Sequence, residues 1–164
     1  MLNLAELNAM TRDEFVRTVG PAFEHSPWIA QRAAERRPFA SREELHRTLC
    51  SVVSAAGEDE QLSLIRAHPD LVGDAVLTAE SQGEQTSAGL MSLTTDEREQ
   101  FREYNRRYGD AFGFPFVICA RLNKKEAILG ALPERLGHSR AKEVETALGE
   151  IYKIAELRLR DVVE

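Results

Sequence analysis

The 164-residue chain is predicted to fold as an all-α, single-domain multi-helix bundle with one short extended segment near residues 114–120. Three observations lead there. Helix-capping signals recur along the sequence, each is followed by apolar residues at helical spacing, and one stretch alone is β-branched and aromatic enough to prefer an extended backbone. The length matches one average domain, so residues 1–164 are expected to form a single domain without repeats, low-complexity tracts or linkers.

Thr11 with Glu14 has the form of a capping box, and Phe15, Val16 and Val19 mark one face before Gly20-Pro21 stops the helix. Ser26-Pro27 reads as an N-cap with proline at the first helical position, opening a helix through Trp28, Ile29 and Ala33 toward Pro38. Ser41 with Glu44 repeats the box; Leu45, Leu49, Val52 and Val53 form its buried stripe, and Gly57 is expected to end it. A further helix carrying Leu62 and Ile65 runs up to His68-Pro69, where the proline discourages continuation.

Thr94 with Glu97 opens a helix bearing Phe101, Tyr104 and Tyr108, and Asn123 with Glu126 opens one bearing Ile128, Leu129 and Leu132. The last helix is the longest. Its Val144, Leu148, Ile151, Ala155, Leu159 and Val162 recur at steps of four and three, which lines one face against a bundle or a second subunit. Two stretches break the pattern: His68 to Leu93, rich in Gly, Ser, Thr and Gln, and Gly113 to Ala120. Function most often resides in such breaks.

Composition narrows the function classes. With 43% apolar and 29% charged residues the chain is neither disordered nor membrane-embedded. Its net charge of −6, from 27 acidic against 21 basic residues, repels a phosphate backbone, so no nucleic-acid partner is expected. Arg36-Arg37 and Arg106-Arg107 read as solvated helix faces. No signal peptide opens the sequence, no apolar run approaches the roughly 20 residues that span a bilayer, and no peroxisomal tripeptide closes it. Cys50 and Cys119 lie far apart, outside any CxxC or zinc spacing, and are expected to be buried free thiols. A reducing cytoplasm fits these features.

The buried amides of the 114–120 segment need partners, and no second strand is at hand. A ligand carboxylate or carbonyl is one candidate; loops and water are another. Arg121 follows directly, its planar fork suited to a carboxylate or a urea-like group, although an ordinary surface arginine fits the position as well. His68, with an unperturbed pKa of about 6.5, suits proton transfer near neutrality, against the alternative of a structural imidazole. His25, His46 and His138 share no spacing and read as structural or exposed. His68, Asp70 and Asp74 are close in sequence, but no second histidine at helical spacing and no HExxH supports a metal site.

Residues 80–85 gather a hydroxyl, two carboxylates and two amides. If helical, they place Ser81, Glu84 and Gln85 on one face; the alternative is a polar surface turn loosened by Gly83. Ser81 lacks a nucleophile-elbow sequence, and no glycine-rich phosphate loop occurs.

Taken together, His68-Pro69-Asp70-Leu71-Val72-Gly73, Ser81-Gln82-Gly83-Glu84-Gln85 and Gly113-Phe114-Pro115-Phe116-Val117-Ile118-Cys119-Ala120-Arg121 resemble the family of decarboxylases acting on 2-oxo-4-hydroxy-4-carboxy-5-ureidoimidazoline (OHCU). The likeness extends to Ser26-Pro27-Trp28-Ile29-Ala30, Arg37-Pro38-Phe39 and Leu157-Arg158-Leu159. It implies a homodimeric, all-helical, cofactor-free enzyme of urate breakdown that releases carbon dioxide and makes (S)-allantoin. By matching position, His68 would be the catalytic acid/base and Glu84 its partner. Ser81, Gln85 and Arg121 would hold the substrate, Pro69 would lie against its ring, and the amides of Val117, Ile118 and Cys119 would bind its polar edge. Asp70 is expected to support the loop by capping. Two other readings compete: a helical interaction module that dimerises through the last helix, and a metal-dependent amidohydrolase on His68, Asp70 and Asp74.

Overall fold

The computed structural model describes residues 1–164 and contains nine α-helices: α1 (Leu4–Ala9), α2 (Arg12–Val19), α3 (Trp28–Ala34), α4 (Arg42–Ala55), α5 (Glu58–Arg66), α6 (Ala79–Ser87), α7 (Thr95–Phe112), α8 (Lys125–Leu136) and α9 (Arg140–Val162). The expected all-α class is what the chain adopts. No sheet forms; Leu2 and Val163 make an isolated parallel bridge. No helix is long and apolar enough to cross a membrane. The chain divides into two compact units, residues 1–67 with 152–164, and residues 68–151.

In the first unit, local capping chemistry sets the helix starts. Thr11 and Glu14 exchange the two reciprocal bonds of a capping box, as their spacing predicts. Asn3 and Glu6 do the same for α1, a helix whose signal was present in the sequence but overlooked. Ser41 caps α4, yet the Glu44 carboxylate turns to the Ala40 amide at 2.6 Å instead of closing the box. Gly57 does not end α4: Ala56 closes that helix, and Gly57 heads α5. Ser26 is no cap either, because its hydroxyl donates to the Glu24 carbonyl at 2.7 Å. Leu7, Phe15, Val19, Ile29, Leu45, Leu49, Val53, Leu64, Ile65 and Leu159 are fully buried, each such side chain contributing about 1.5–3 kcal/mol. Arg158, in the part of α9 that belongs here, meets the Glu24 carboxylate at 2.9 Å and the Pro21 carbonyl at 3.0 Å, both side chains buried.

The second unit holds α6, α7, α8 and the start of α9. Tyr108 packs against Phe112, Phe114 and Phe116, with ring centroids 4.6, 6.0 and 5.4 Å away. Gly113 closes α7 at φ 79°, a left-handed conformation that glycine adopts without a Cβ clash. The chain then runs extended to Cys119 and tightens into a 3₁₀ turn at Ala120–Leu122. Asn123 does not cap α8. Lys124 occupies that position, and the Asn123 amide instead donates to the Cys119 carbonyl at 2.9 Å, bracing the turn.

Candidate active site

All nine residues singled out by sequence fall in the second unit, on three segments. The first follows α5. His68 is buried, at 8% exposure, and Pro69 is half-buried. Asp70 to Gly73 forms a turn closed by the Gly73 amide donating to the Asp70 carbonyl at 3.3 Å. The main chain of Asp70, rather than a capping carboxylate, thus supports the loop. Its side chain is largely exposed, yet desolvation of the carboxyl pushes its pKa above the usual carboxylate value.

Val72 occupies that turn at φ 58°. A left-handed backbone is strained for a β-branched residue and costs roughly 1–3 kcal/mol, so it persists only where surrounding bonds hold it. Two do. The Val72 amide donates to Oε1 of Gln85 at 3.3 Å, and the Leu71 carbonyl accepts from Nδ2 of Asn105 in α7 at 2.7 Å.

The second segment is α6, which lies inside the stretch His68 to Leu93 that lacks an apolar pattern. Thr78 caps it, accepting from the Ser81 amide at 3.2 Å. Its inward residues are Ser81 and Gln85, at 6% and 4% exposure, with Glu84 half-buried beside them. The helix is therefore real, but its buried face is polar, and hydrophobic periodicity could not reveal it. Gly83 has open space around it. The helix packs against the Ala120–Leu122 turn, which carries Arg121 at the surface.

The third segment supplies Val117, Ile118 and Cys119, all buried. The expected shortage of backbone partners is met partly by side chains. The Cys119 amide donates to Oε1 of Glu150 at 3.1 Å, and the Val117 carbonyl accepts from Arg135 at 2.6 Å. Burial pushes the Cys119 thiol above its ordinary pKa; the nearby Glu150 and Glu84 carboxylates add to the rise, and hydrogen bonds from the Leu122 and Arg121 backbone partly oppose it. The packing of α6 on the Ala120–Leu122 turn links it to the end of the extended segment, as Gln85 links α6 to the His68 loop. Helix α6 is therefore the hub on which the other two segments converge.

Between them the three segments carry one imidazole, a carboxylate, a hydroxyl, amide groups and apolar side chains, with Arg121 exposed on the adjoining turn. Such a set can orient an anionic, hydrogen-bonding small molecule and move a proton. Oε1 of Gln85 accepts from Val72 and keeps a second lone pair, so Gln85 can offer a ligand its Nε2 hydrogens and that remaining acceptor. No group of three or more His, Cys, Asp or Glu side chains is placed to hold a metal ion. Sequence reading missed Asn105, Glu150 and Arg135. Each is a polar residue inside a long helix, spaced like its solvated neighbours, so only tertiary structure distinguishes it.

The OHCU decarboxylase family model matches residues 8–160. The 2-oxo-4-hydroxy-4-carboxy-5-ureidoimidazoline decarboxylase of Haloferax volcanii is 42% identical over 160 residues, covering 98% of this chain and 95% of that protein. Among solved structures, the crystal structure of (S)-allantoin synthase aligns with a TM-score of 0.84 at 27% identity; the alignment covers this whole chain and 54% of the other. The crystal structure of OHCU decarboxylase in the presence of (S)-allantoin aligns with a TM-score of 0.72 at 26% identity, covering 91% of this chain and 96% of the other.

Proposed function

The chain belongs to the OHCU decarboxylase family, and we propose that it catalyses the cofactor-independent decarboxylation of OHCU to (S)-allantoin in urate breakdown. The observation that carries this reading is the near-full-length likeness to the Haloferax volcanii decarboxylase, which takes in all three site segments.

The chemistry suits the residues. The leaving carboxylate of OHCU is β to a ring C=N bond, so the electron pair released with carbon dioxide passes into that bond, and the substrate is its own electron sink. The protein has to orient and desolvate the carboxylate, stabilise charge on the ring and deliver a proton to one face. His68 handles that proton, assisted by Glu84. Ser81, the Nε2 hydrogens of Gln85 and Arg121 anchor the polar groups of the substrate. Pro69 packs against its ring, and the backbone of Val117, Ile118 and Cys119 lines its polar edge. Residues 1–164 work as one decarboxylase domain, in a cytoplasmic homodimer; the support for the dimer is the family resemblance, and light scattering measures it directly.

Stereochemistry supplies the test. OHCU generated in situ from urate decays without assistance to racemic allantoin, whereas a positioned proton donor yields one hand. Circular dichroism of the product, followed with and without the protein, is expected to show the (S) signal growing with protein concentration. A product that stays racemic disproves the reading.

A further inference from the structure

We infer that Asn105 is a positioning residue for this site: from α7 it clamps the turn that follows His68-Pro69 and holds Val72 in its left-handed conformation. The inference rests on the decarboxylase reading for its activity readout and on geometry alone for the rest.

Three observations carry it. Nδ2 of Asn105 donates to the Leu71 carbonyl at 2.7 Å. A carbonyl can only accept, so this bond fixes which end of the side-chain amide faces the loop. The other end, Oδ1, is then buried without a hydrogen-bond partner. Native proteins satisfy nearly all buried acceptors, and an orphan calls for an explanation other than stability. Finally, the clamped carbonyl belongs to the residue immediately before Val72, whose φ of 58° a β-branched side chain resists. Leu71 itself is buried, which pins the turn from the apolar side. Gln85 holds the N–H of that same Leu71–Val72 peptide unit from α6, so two helices grip opposite edges of one peptide in the strained turn. Its backbone leads directly back to the imidazole.

A purely structural asparagine would behave differently from a positioning one. Asn105→Leu has similar volume, removes the orphan acceptor and leaves the fold intact or firmer. The expected result is an unchanged or raised Tm with kcat lowered on the order of 10- to 100-fold, the effect of a small displacement of a catalytic group. KM should stay within about two-fold, because the substrate-holding groups on α6 are untouched. Hydrogen exchange of the Val72 and Gly73 amides should accelerate. Asn105→Asp, which keeps the shape but sets an acceptor against the Leu71 carbonyl, provides a second route to the same two losses if the leucine variant fails to fold. Adding Val72→Gly to Asn105→Leu should restore most of the lost kcat, since glycine holds a positive φ without a clamp. Wild-type kcat in Asn105→Leu, unchanged exchange at Val72 and Gly73, or a loss that Val72→Gly does not recover overturns the inference. A wild-type protein that does not act on OHCU sinks the functional reading instead, and the exchange measurement still decides the clamp.

Discussion

The Arg135 guanidinium and the Glu143 carboxylate meet at 2.7 Å with side-chain exposures of 7% and 0%, and the same guanidinium holds the Val117 carbonyl at 2.6 Å. A buried ion pair thus serves as the anchor of the extended segment. Tyr108 donates its hydroxyl to Glu143, and His138 lies 2.9 Å from the other carboxylate oxygen. Burial, reinforced by the Glu143 contact, pushes the Tyr108 hydroxyl well above its ordinary pKa, so it remains a donor. The guanidinium also lies over the Phe116 ring at 4.3 Å, where a methionine would find an apolar wall ready for it.

Breaking such a pair is costly because the survivor is left charged in a low dielectric. Arg135→Met is therefore expected to lower unfolding free energy by about 3–5 kcal/mol. The double variant Arg135→Met/Glu143→Gln should recover part of that loss, since no buried charge is stranded. Denaturant titration of the two variants measures the difference; equal stability of the single and double variants would show that charge burial is not the cause.

Glu150 invites a separate test, because its carboxylate is the acceptor for the Cys119 amide beside the predicted substrate edge. Glu150→Gln keeps a carbonyl oxygen there and should retain most decarboxylation. Glu150→Ala leaves the amide without that partner, at a cost of about 1–3 kcal/mol, and should lower kcat/KM. If both variants match the wild type in activity, the register of residues 117–119 does not depend on Glu150.

The two expectations differ in origin, and so does what the sequence could reveal. Thr11 with Glu14 and Thr94 with Glu97 were legible because a capping box is complete within four residues. Asn123 with Glu126 has the same spacing but fails, because the Asn123 side chain finds the Cys119 carbonyl and is drawn away from the helix. The apolar stripe of α4 was equally plain: Leu45, Leu49, Val52 and Val53 are all buried. Helix α6 was not, since Ser81 and Gln85 are what it buries. The site followed the same division. Its three motifs could be quoted from the sequence, whereas Asn105 and Glu150, which hold them in shape, bond to residues 34 and 31 positions away.

Of the two cysteines expected to be buried free thiols, Cys119 is buried, whereas Cys50 is only half-buried. Desolvation, with a contribution from the Glu156 charge, pushes Cys50 up to about 12. Cys119 is raised as well, again chiefly by burial. Both are therefore protonated and weakly nucleophilic at pH 8. An aromatic disulfide reagent should leave Cys119 unmodified in the folded protein and react with it in denaturant, while half-buried Cys50 should react only slowly because so little of it is thiolate. Rapid modification of Cys119 under native conditions would contradict its burial, and rapid modification of Cys50 would contradict its raised pKa.

Asp70 predicts a pH dependence of stability. Desolvation raises its folded-state pKa above the unfolded value of about 3.9, so the native state binds the proton more tightly. Stability from this group is present below the unfolded pKa and is lost as pH rises through the folded value. Asp70→Asn carries no charge at any pH. It should melt slightly higher than the wild type at neutral pH, and the gain should vanish below about pH 3. A variant that is less stable at neutral pH would mean that the carboxylate has a partner worth more than its desolvation.

His68 carries the most direct prediction about chemistry. It is buried beside Pro69, and its chain neighbours are held in place by Gln85 and Asn105. His68→Asn preserves a hydrogen-bonding side chain of similar reach but cannot deliver a proton near neutral pH. General acid–base catalysis is worth about 10²–10⁴ in rate, so the folded variant should lose activity on that scale. It should also bind substrate nearly as well, because the proposed anchoring groups are Ser81, Gln85 and Arg121 rather than the imidazole. What little allantoin forms should then be racemic, since it arises from unassisted decay. A folded His68→Asn protein that still makes (S)-allantoin near the wild-type rate would move the proton donor to another residue, with Glu84 the first to examine.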